Sequence, residues 1–108
     1  MSEAIQNTIR ETVNSNRVVL FMKGTKSFPQ DGFSANAVDI LKRCRTDFKD
    51  VNVLTSSALG IGVKEFSNWP TIPQVYIDGK FIGGLEILTE MFNSGELQRL
   101  LDPEASAS

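Results

Sequence analysis

Apolar residues recur along the chain at two different spacings, and these spacings predict its first elements. Ile5, Ile9 and Val13 lie four positions apart, which predicts an amphipathic helix over residues 3–15. Residues 18–22 form an uninterrupted apolar run that ends at a Lys-Gly pair, which is typical of a strand buried on both faces. A strand covered on both faces implies an α/β architecture.

The pattern after this strand predicts an alternation of helices and strands. Apolar residues return on one helical face from about Gly32, and a later helix stops before Pro70, because the residue before a proline disfavours helical geometry. Asp78-Gly79 between two short apolar runs is typical of a hairpin with a type I′ turn. In chain order, the further predicted elements are a helix from residue 32, strand 48–53, a helix that includes 59–66, a hairpin over 74–82, a helix around 87–92 and a short helix over 95–101.

This order of elements is typical of a thioredoxin-like α/β fold. A helix joins the first two strands, so we expect them to be parallel, whereas the hairpin adds two antiparallel strands to the same sheet. The prediction is therefore a central four-stranded mixed sheet flanked by about five helices.

Length and composition indicate one globular domain. The chain has 108 residues, of which 41% are hydrophobic and 22% charged, so we expect a single domain over residues 1–108 with a frayed tail over about 102–108. A net charge of -2 and the lack of a basic run argue against nucleic-acid binding. No apolar stretch approaches the roughly 18 residues of a membrane span, and residues 1–6 show no targeting pattern, so we expect a cytoplasmic protein.

The cysteine and histidine content excludes several kinds of site. Cys44 is the single cysteine, so neither an internal disulfide nor a Cys-x-x-Cys pair can form. The chain has no histidine, which excludes Ser-His and Cys-His triads and histidine-bearing zinc sites. Cys44 falls on the predicted core face of the second helix, where we expect an inert buried thiol rather than a displaced nucleophile.

Three segments of the chain together resemble the monothiol glutaredoxins. They are KGTKSFPQDGFS over residues 23–34, WPTIPQ over residues 69–74, and Gly83-Gly84. The family signature Cys-Gly-Phe-Ser reads Asp-Gly-Phe-Ser here, which places Asp31 at the position of the family's cysteine. The resemblance extends from about residue 5 to 101 and implies the glutaredoxin version of the thioredoxin-like fold.

The resemblance also implies a glutathione site. In the family, the lysine equivalent to Lys23 reaches toward the active-site sulfur and a glutathione carboxylate. A cis-proline loop pairs through its backbone with the cysteinyl unit, and the Gly-Gly pair offers N–H groups to a carboxylate at a helix start. The residues predicted by resemblance to bind the cofactor are Lys23, Gly32, Phe33, Thr71, Ile72, Pro73, Gly83, Gly84 and Glu86.

The family's activity, by the same resemblance, is to carry a 2Fe-2S cluster between two protomers with the help of glutathione, and to pair with BolA-type or iron–sulfur assembly proteins. Asp31 stands at the family's cluster-ligand and nucleophile position, but a carboxylate is a hard oxygen ligand and cannot exchange with a disulfide. We therefore expect redox and cluster activity to be lost or much weakened, with no enzymatic turnover. The protein is expected to be a monomer unless a cluster binds.

Other departures from the family pattern surround the same predicted site. Gly60 stands where the family has an arginine that clamps a glutathione carboxylate, and losing this contact weakens binding about ten- to a hundredfold. Leu85 and Glu86 replace a Cys or Ser followed by Asp. Weak glutathione binding is the consequence.

Several hypotheses for Asp31 remain open from the sequence. It could be a helix N-cap without chemistry, an electrostatic substitute for the thiolate, an iron ligand, or a base, which is the least favoured because a helix N-terminus stabilises the anion. Two alternatives to a weakened cluster carrier follow. One is a thiol-free binding module for a small carboxylate or a partner protein, and the other is a pocket rebuilt for other chemistry around Asp31 and Glu86.

Overall fold

The computed structural model describes residues 3–103, which form five α-helices and four strands. The predicted element order is confirmed. The elements are α1 (Glu3–Ser15), β1 (Val18–Met22), α2 (Gly32–Arg43), β2 (Lys49–Asn52), α3 (Ser57–Ser67), β3 (Gln74–Ile77), β4 (Lys80–Gly83), α4 (Leu85–Ser94) and α5 (Glu96–Leu101), with a 3-10 turn over Val53–Thr55.

The four strands form one mixed sheet in the order β2-β1-β3-β4. β1 pairs with β2 in parallel, and the pairs β1–β3 and β3–β4 are antiparallel, as the sequence predicts. The hairpin between β3 and β4 has positive φ angles at both central residues, 52° at Asp78 and 78° at Gly79. A type I′ turn requires this combination, so the predicted turn is confirmed.

The core lies on both faces of this sheet, because alternate residues of β1 point in opposite directions. Val18, Leu20 and Met22 pack against residues of α2, α4 and α5. Val19 and Phe21 pack on the opposite face against residues of α1 and α3. All five residues of β1 are buried, as its continuous apolar run predicts. The sheet therefore lies between two layers of helices, and α2 and α4 are side by side in one of these layers.

The second strand differs from the prediction at both ends. β2 begins at Lys49, while Phe48 is buried just before it, and it ends at Asn52 instead of residue 53. The Asn52 side chain explains this end: its Oδ1 accepts hydrogen bonds from the N–H of Leu54 (2.9 Å) and of Gly24 (3.0 Å). This side-chain acceptor starts the 3-10 turn that replaces the end of the strand.

The frayed tail predicted over about residues 102–108 stays a prediction. After α5, the N–H of Asp102 donates to the carbonyl of Gln98 at 2.8 Å, so the helix end is hydrogen-bonded at the start of the predicted frayed tail. The remainder of that tail, residues 104–108, lies outside the described residues. Within residues 3–103, none of the helices has the length and apolar character needed to cross a membrane.

Candidate functional site

A cleft of about 510 Å³ lies where the N-termini of α2 and α4 meet the loop that precedes β3. Its size is that of a pocket for a small ligand. The fold brings most of the predicted site residues together here. The residues that line the cleft are Lys23, Asp31, Gly32, Phe33, Lys64, Pro70, Thr71, Ile72, Pro73, Leu85 and Glu86.

Asp31 is the N-cap of α2, as predicted. Its backbone is extended (φ -148°, ψ 166°), and its Oδ1 accepts a hydrogen bond from the N–H of Ser34 at 2.7 Å. Such a bond satisfies one of the N–H groups that the first turn of a helix leaves without a partner. The carboxylate is therefore held at the positive end of the helix dipole, beside the cleft.

Lys23 is the cation closest to this carboxylate in the cleft. Its Nζ lies 3.8 Å from Oδ2 of Asp31, and the two side chains are 46% and 26% exposed. An ion pair of this length and exposure contributes at most about 1 kcal/mol to stability. The lysine of the cleft is nevertheless already paired with an anion of the same chain, the Asp31 carboxylate.

Ser34 connects the two members of this pair, and the sequence analysis did not single it out. Its side chain is fully buried, and its Oγ accepts from the backbone N–H of Lys23 at 3.0 Å. The backbone N–H of Ser34 itself donates to Oδ1 of Asp31. Ser34 thus joins the end of β1 to the first turn of α2, and a small hydroxyl residue at the third helical position is the sequence signal for such a link.

The loop of residues 69–73 forms one wall of the cleft. The peptide bond between Ile72 and Pro73 is cis, in agreement with the resemblance to the family's cis-proline loop. Gly84 supports this loop from the other side: a Cβ there would lie 3.2 Å from Nε1 of Trp69 and 3.4 Å from the carbonyl oxygen of Pro73. A residue with a Cβ at this position would therefore need Trp69 or the loop to move by a few tenths of an ångström.

Gly83 and Gly84 are the predicted site residues that do not themselves line the cleft. Gly84 is the N-cap of α4, where no side chain caps the helix, and Gly83 ends β4 with a φ of 147°. The following residues, Leu85 and Glu86, do line the cleft. The N-termini of α2 and α4 therefore both present their positive dipole ends to the same space.

Lys64 is a second cation of the cleft that the sequence analysis missed. It belongs to α3 and follows Gly60 by one helical turn, so the two residues share a face of the helix. Gly60 does not line the cleft. Two lysines and two helix N-termini favour an anionic ligand, whereas Asp31 and Glu86 oppose one.

Cys44 lies at the C-terminal end of α2, about 20 Å along the helix from Asp31. Its predicted burial is confirmed, since 4% of the residue is exposed. Burial raises the pKa of the Cys44 thiol above its ordinary value, which lowers the fraction of reactive thiolate. Within residues 3–103, no three His, Cys, Asp or Glu residues are grouped as a metal site would need.

Comparisons with known proteins agree with this fold. The Glutaredoxin family model matches residues 18–82. The chain is 51% identical over 98 residues to monothiol glutaredoxin-S14, chloroplastic, of Arabidopsis thaliana, covering 91% of this chain but only 57% of that protein. It is 46% identical over 102 residues to an uncharacterized monothiol glutaredoxin ycf64-like of Synechocystis, covering 94% and 95% of the two chains.

A solved structure is equally similar. The solution structure of reduced poplar apo GrxS14 superposes with a TM-score of 0.80 at 50% sequence identity, covering 96% of this chain and 94% of that one. The predicted thioredoxin-like glutaredoxin fold is thereby confirmed.

Proposed function

This chain belongs to the monothiol glutaredoxin family, and we propose that it binds glutathione weakly and has lost thiol-based activity. The observation that carries the proposal is the position of Asp31. Its carboxylate caps α2 beside the cleft, at the place where the family resemblance puts the reactive thiolate.

Thiol–disulfide exchange requires a thiolate that attacks a disulfide sulfur. A carboxylate at position 31 cannot form the mixed disulfide through which this exchange proceeds. The one thiol of the chain, Cys44, is buried at the other end of α2, and its raised pKa disfavours the thiolate. We therefore propose that the chain does not exchange with glutathionylated substrates.

The family's iron–sulfur cluster does not fit the residues that line the cleft. Such clusters are held by soft thiolate ligands, whereas the protein's acidic groups here, Asp31 and Glu86, offer hard oxygen atoms. Asp31 is in addition engaged with the N–H of Ser34 and with Lys23. We propose that the chain forms no stable cluster-bridged dimer and is a monomer.

Glutathione suits the cleft better, because it is a peptide with two carboxylates. Lys23 and Lys64 would attract these carboxylates, the first turn of α4 would offer N–H groups, and the backbone of residues 71–73 would pair with the peptide. Asp31 competes for Lys23, and Gly60 brings no guanidinium, so the proposed affinity is about ten- to a hundredfold below that of an arginine-bearing site.

A second candidate is a thiol-free binding module for another small carboxylate or for a partner protein. The two lysines and two helix N-termini of the cleft favour it, because none of them is specific for glutathione. From the family resemblance, we propose BolA-type or iron–sulfur assembly proteins as partners. The cytoplasmic location expected from the sequence stays a prediction.

The proposal is tested by comparing the wild-type chain with Asp31→Cys in three assays: NMR titration with glutathione, exchange with a glutathionylated peptide, and anaerobic cluster reconstitution with glutathione. We expect weak saturable glutathione binding by wild type, with shifts at residues 71–73. We also expect thiol–disulfide exchange only in the variant. Asp31→Cys alone should not restore full cluster binding, because Gly60 and Leu85 still weaken the glutathione site.

Cys44→Ala is the control for the buried thiol. Exchange by wild type that disappears in Cys44→Ala would show that Cys44 is accessible and that the proposal is wrong. A stable cluster-bridged dimer of the wild-type chain would contradict it as well. The second candidate would replace the first if glutathione caused no shifts but a simple dicarboxylate did.

A further inference from the structure

We propose that Gln74 is a positioning residue that holds the loop of residues 69–73 in its binding conformation. Gln74 is the first residue of β3, and its side chain is fully buried without lining the cleft. Glutamine is rarely buried in this way unless its amide finds partners, because it must give up its hydrogen bonds to water.

The amide of Gln74 has two partners, and both belong to the loop. Its Nε2 donates to the carbonyl oxygen of Trp69 at 3.1 Å and to that of Thr71 at 3.0 Å. Both partners are acceptors, so only the NH₂ end of the amide can face them. The two carbonyls flank Pro70, and a single buried side chain therefore holds the chain on both sides of that residue.

The loop has little backbone bonding of its own. Pro70 and Pro73 have no N–H group to donate. Outside the helices and strands, no backbone–backbone hydrogen bond within residues 3–103 involves residues 70–73. These four residues all line the cleft, so the shape of that wall depends on the hydrogen bonds of Gln74.

The oxygen of the same side-chain amide shows that a glutamine at this position has a cost that an apolar residue would not have. Oε1 of Gln74 is buried and has no hydrogen-bond partner among the described residues. A buried acceptor without a partner destabilises a fold, and an apolar side chain of similar volume would avoid that cost. The two bonds to the loop are what Gln74 supplies and an apolar residue cannot.

The proposal rests on the proposed function for its ligand, and its test therefore has one readout with glutathione and one without. Gln74→Met keeps the length of the side chain and removes both donors. Gln98→Met is the matched control, because Nε2 of Gln98 also donates to a backbone carbonyl, that of Cys44 at 3.4 Å, and Gln98 does not line the cleft. Order parameters from ¹⁵N relaxation at Thr71 and Ile72, and glutathione affinity by NMR titration, are measured below the unfolding transition.

We expect order parameters at Thr71 and Ile72 near 0.85 in wild type and Gln98→Met, falling below about 0.6 in Gln74→Met. Glutathione affinity should fall about fivefold to tenfold in Gln74→Met and stay within twofold in the control. If Gln74→Met does not fold, Gln74→Asn takes its place, because the shorter amide cannot reach both carbonyls.

A merely structural role would lower the melting temperature and leave both readouts at the wild-type values, which would overturn the proposal. It is also overturned if the loop loosens while glutathione binds within twofold of wild type. If wild type itself binds no glutathione, the proposed function fails, and unchanged order parameters in Gln74→Met would then overturn the positioning role separately.

Discussion

Asp31 acts at the residue scale as a helix cap, whichever ligand the cleft holds. Its carboxylate satisfies the N–H of Ser34 and lies at the positive end of α2. The alternatives left open by the sequence are therefore not exclusive: a residue that occupies the place of a thiolate also stabilises the helix beneath it.

Removing this carboxylate should lower the stability of the fold. We expect Asp31→Ala to reduce the free energy of unfolding by about 0.5–2 kcal/mol, measured by urea denaturation. Ser56→Ala is the matched control, because Oγ of Ser56 caps α3 through the N–H of Leu59 at 3.0 Å and should show a loss of similar size. An unchanged midpoint for Asp31→Ala, beside a lowered one for Ser56→Ala, would contradict the capping role.

At the scale of elements, α3 combines a structural weakness with a position close to the cleft. Gly60 lies in its first half, where glycine costs about 1 kcal/mol relative to alanine. A Cβ at this position would lie 3.5 Å from the carbonyl oxygen of Val53, an ordinary contact. The helix can therefore accept a side chain one turn before Lys64.

We expect Gly60→Ala to raise the free energy of unfolding by about 0.5–1 kcal/mol without changing glutathione affinity. Gly60→Arg should give a similar stabilisation and raise that affinity about ten- to a hundredfold, because a guanidinium can form a charge-assisted pair with a carboxylate. Denaturation and NMR titration measure the two effects. Equal affinities for the two variants would show that position 60 does not reach the ligand.

At the scale of the whole molecule, the free energy of unfolding depends on pH through Tyr76. This residue lies in the core between the sheet and the helices α1 and α3. The residue is 3% exposed, and its ring packs near those of Phe21, Phe66 and Phe81 at 5.4 to 6.0 Å between centroids. Burial raises the pKa of Tyr76 to about 12, against about 10 in an unfolded chain.

Because the pKa of Tyr76 is higher in the folded state, keeping its phenol protonated stabilises the fold. This stabilisation is fully present below about pH 10 and is lost as the pH rises toward 12, since only the unfolded state releases the proton in that window. We expect the free energy of unfolding to fall across this range and to fall less steeply in Tyr76→Phe, which has no phenol to ionise. Urea denaturation at several pH values from 8 to about 11 checks this. Parallel curves for the two proteins would contradict it.

The sequence alone determined the features that depend on neighbouring residues. Hydrophobic periodicity predicted the order of helices and strands, Asp78-Gly79 predicted the turn, and the position of Asp31 before an apolar helical face predicted the cap. Each of these depends on local backbone geometry or on side-chain spacing within one element, so a single segment contains the information. The glutathione-binding roles of the predicted site residues stay predictions.

The tertiary structure alone decided the features that depend on contacts between segments. The early end of β2 depends on Asn52, whose side chain reaches Gly24 across the chain. Lys64 lines the cleft because α3 packs beside the loop of residues 69–73. Gln74 is buried because the sheet and helices exclude water from it. The access of a side chain to water, and a partner as far along the chain as Gly24 is from Asn52, are set by the packing of distant segments, which no local pattern encodes.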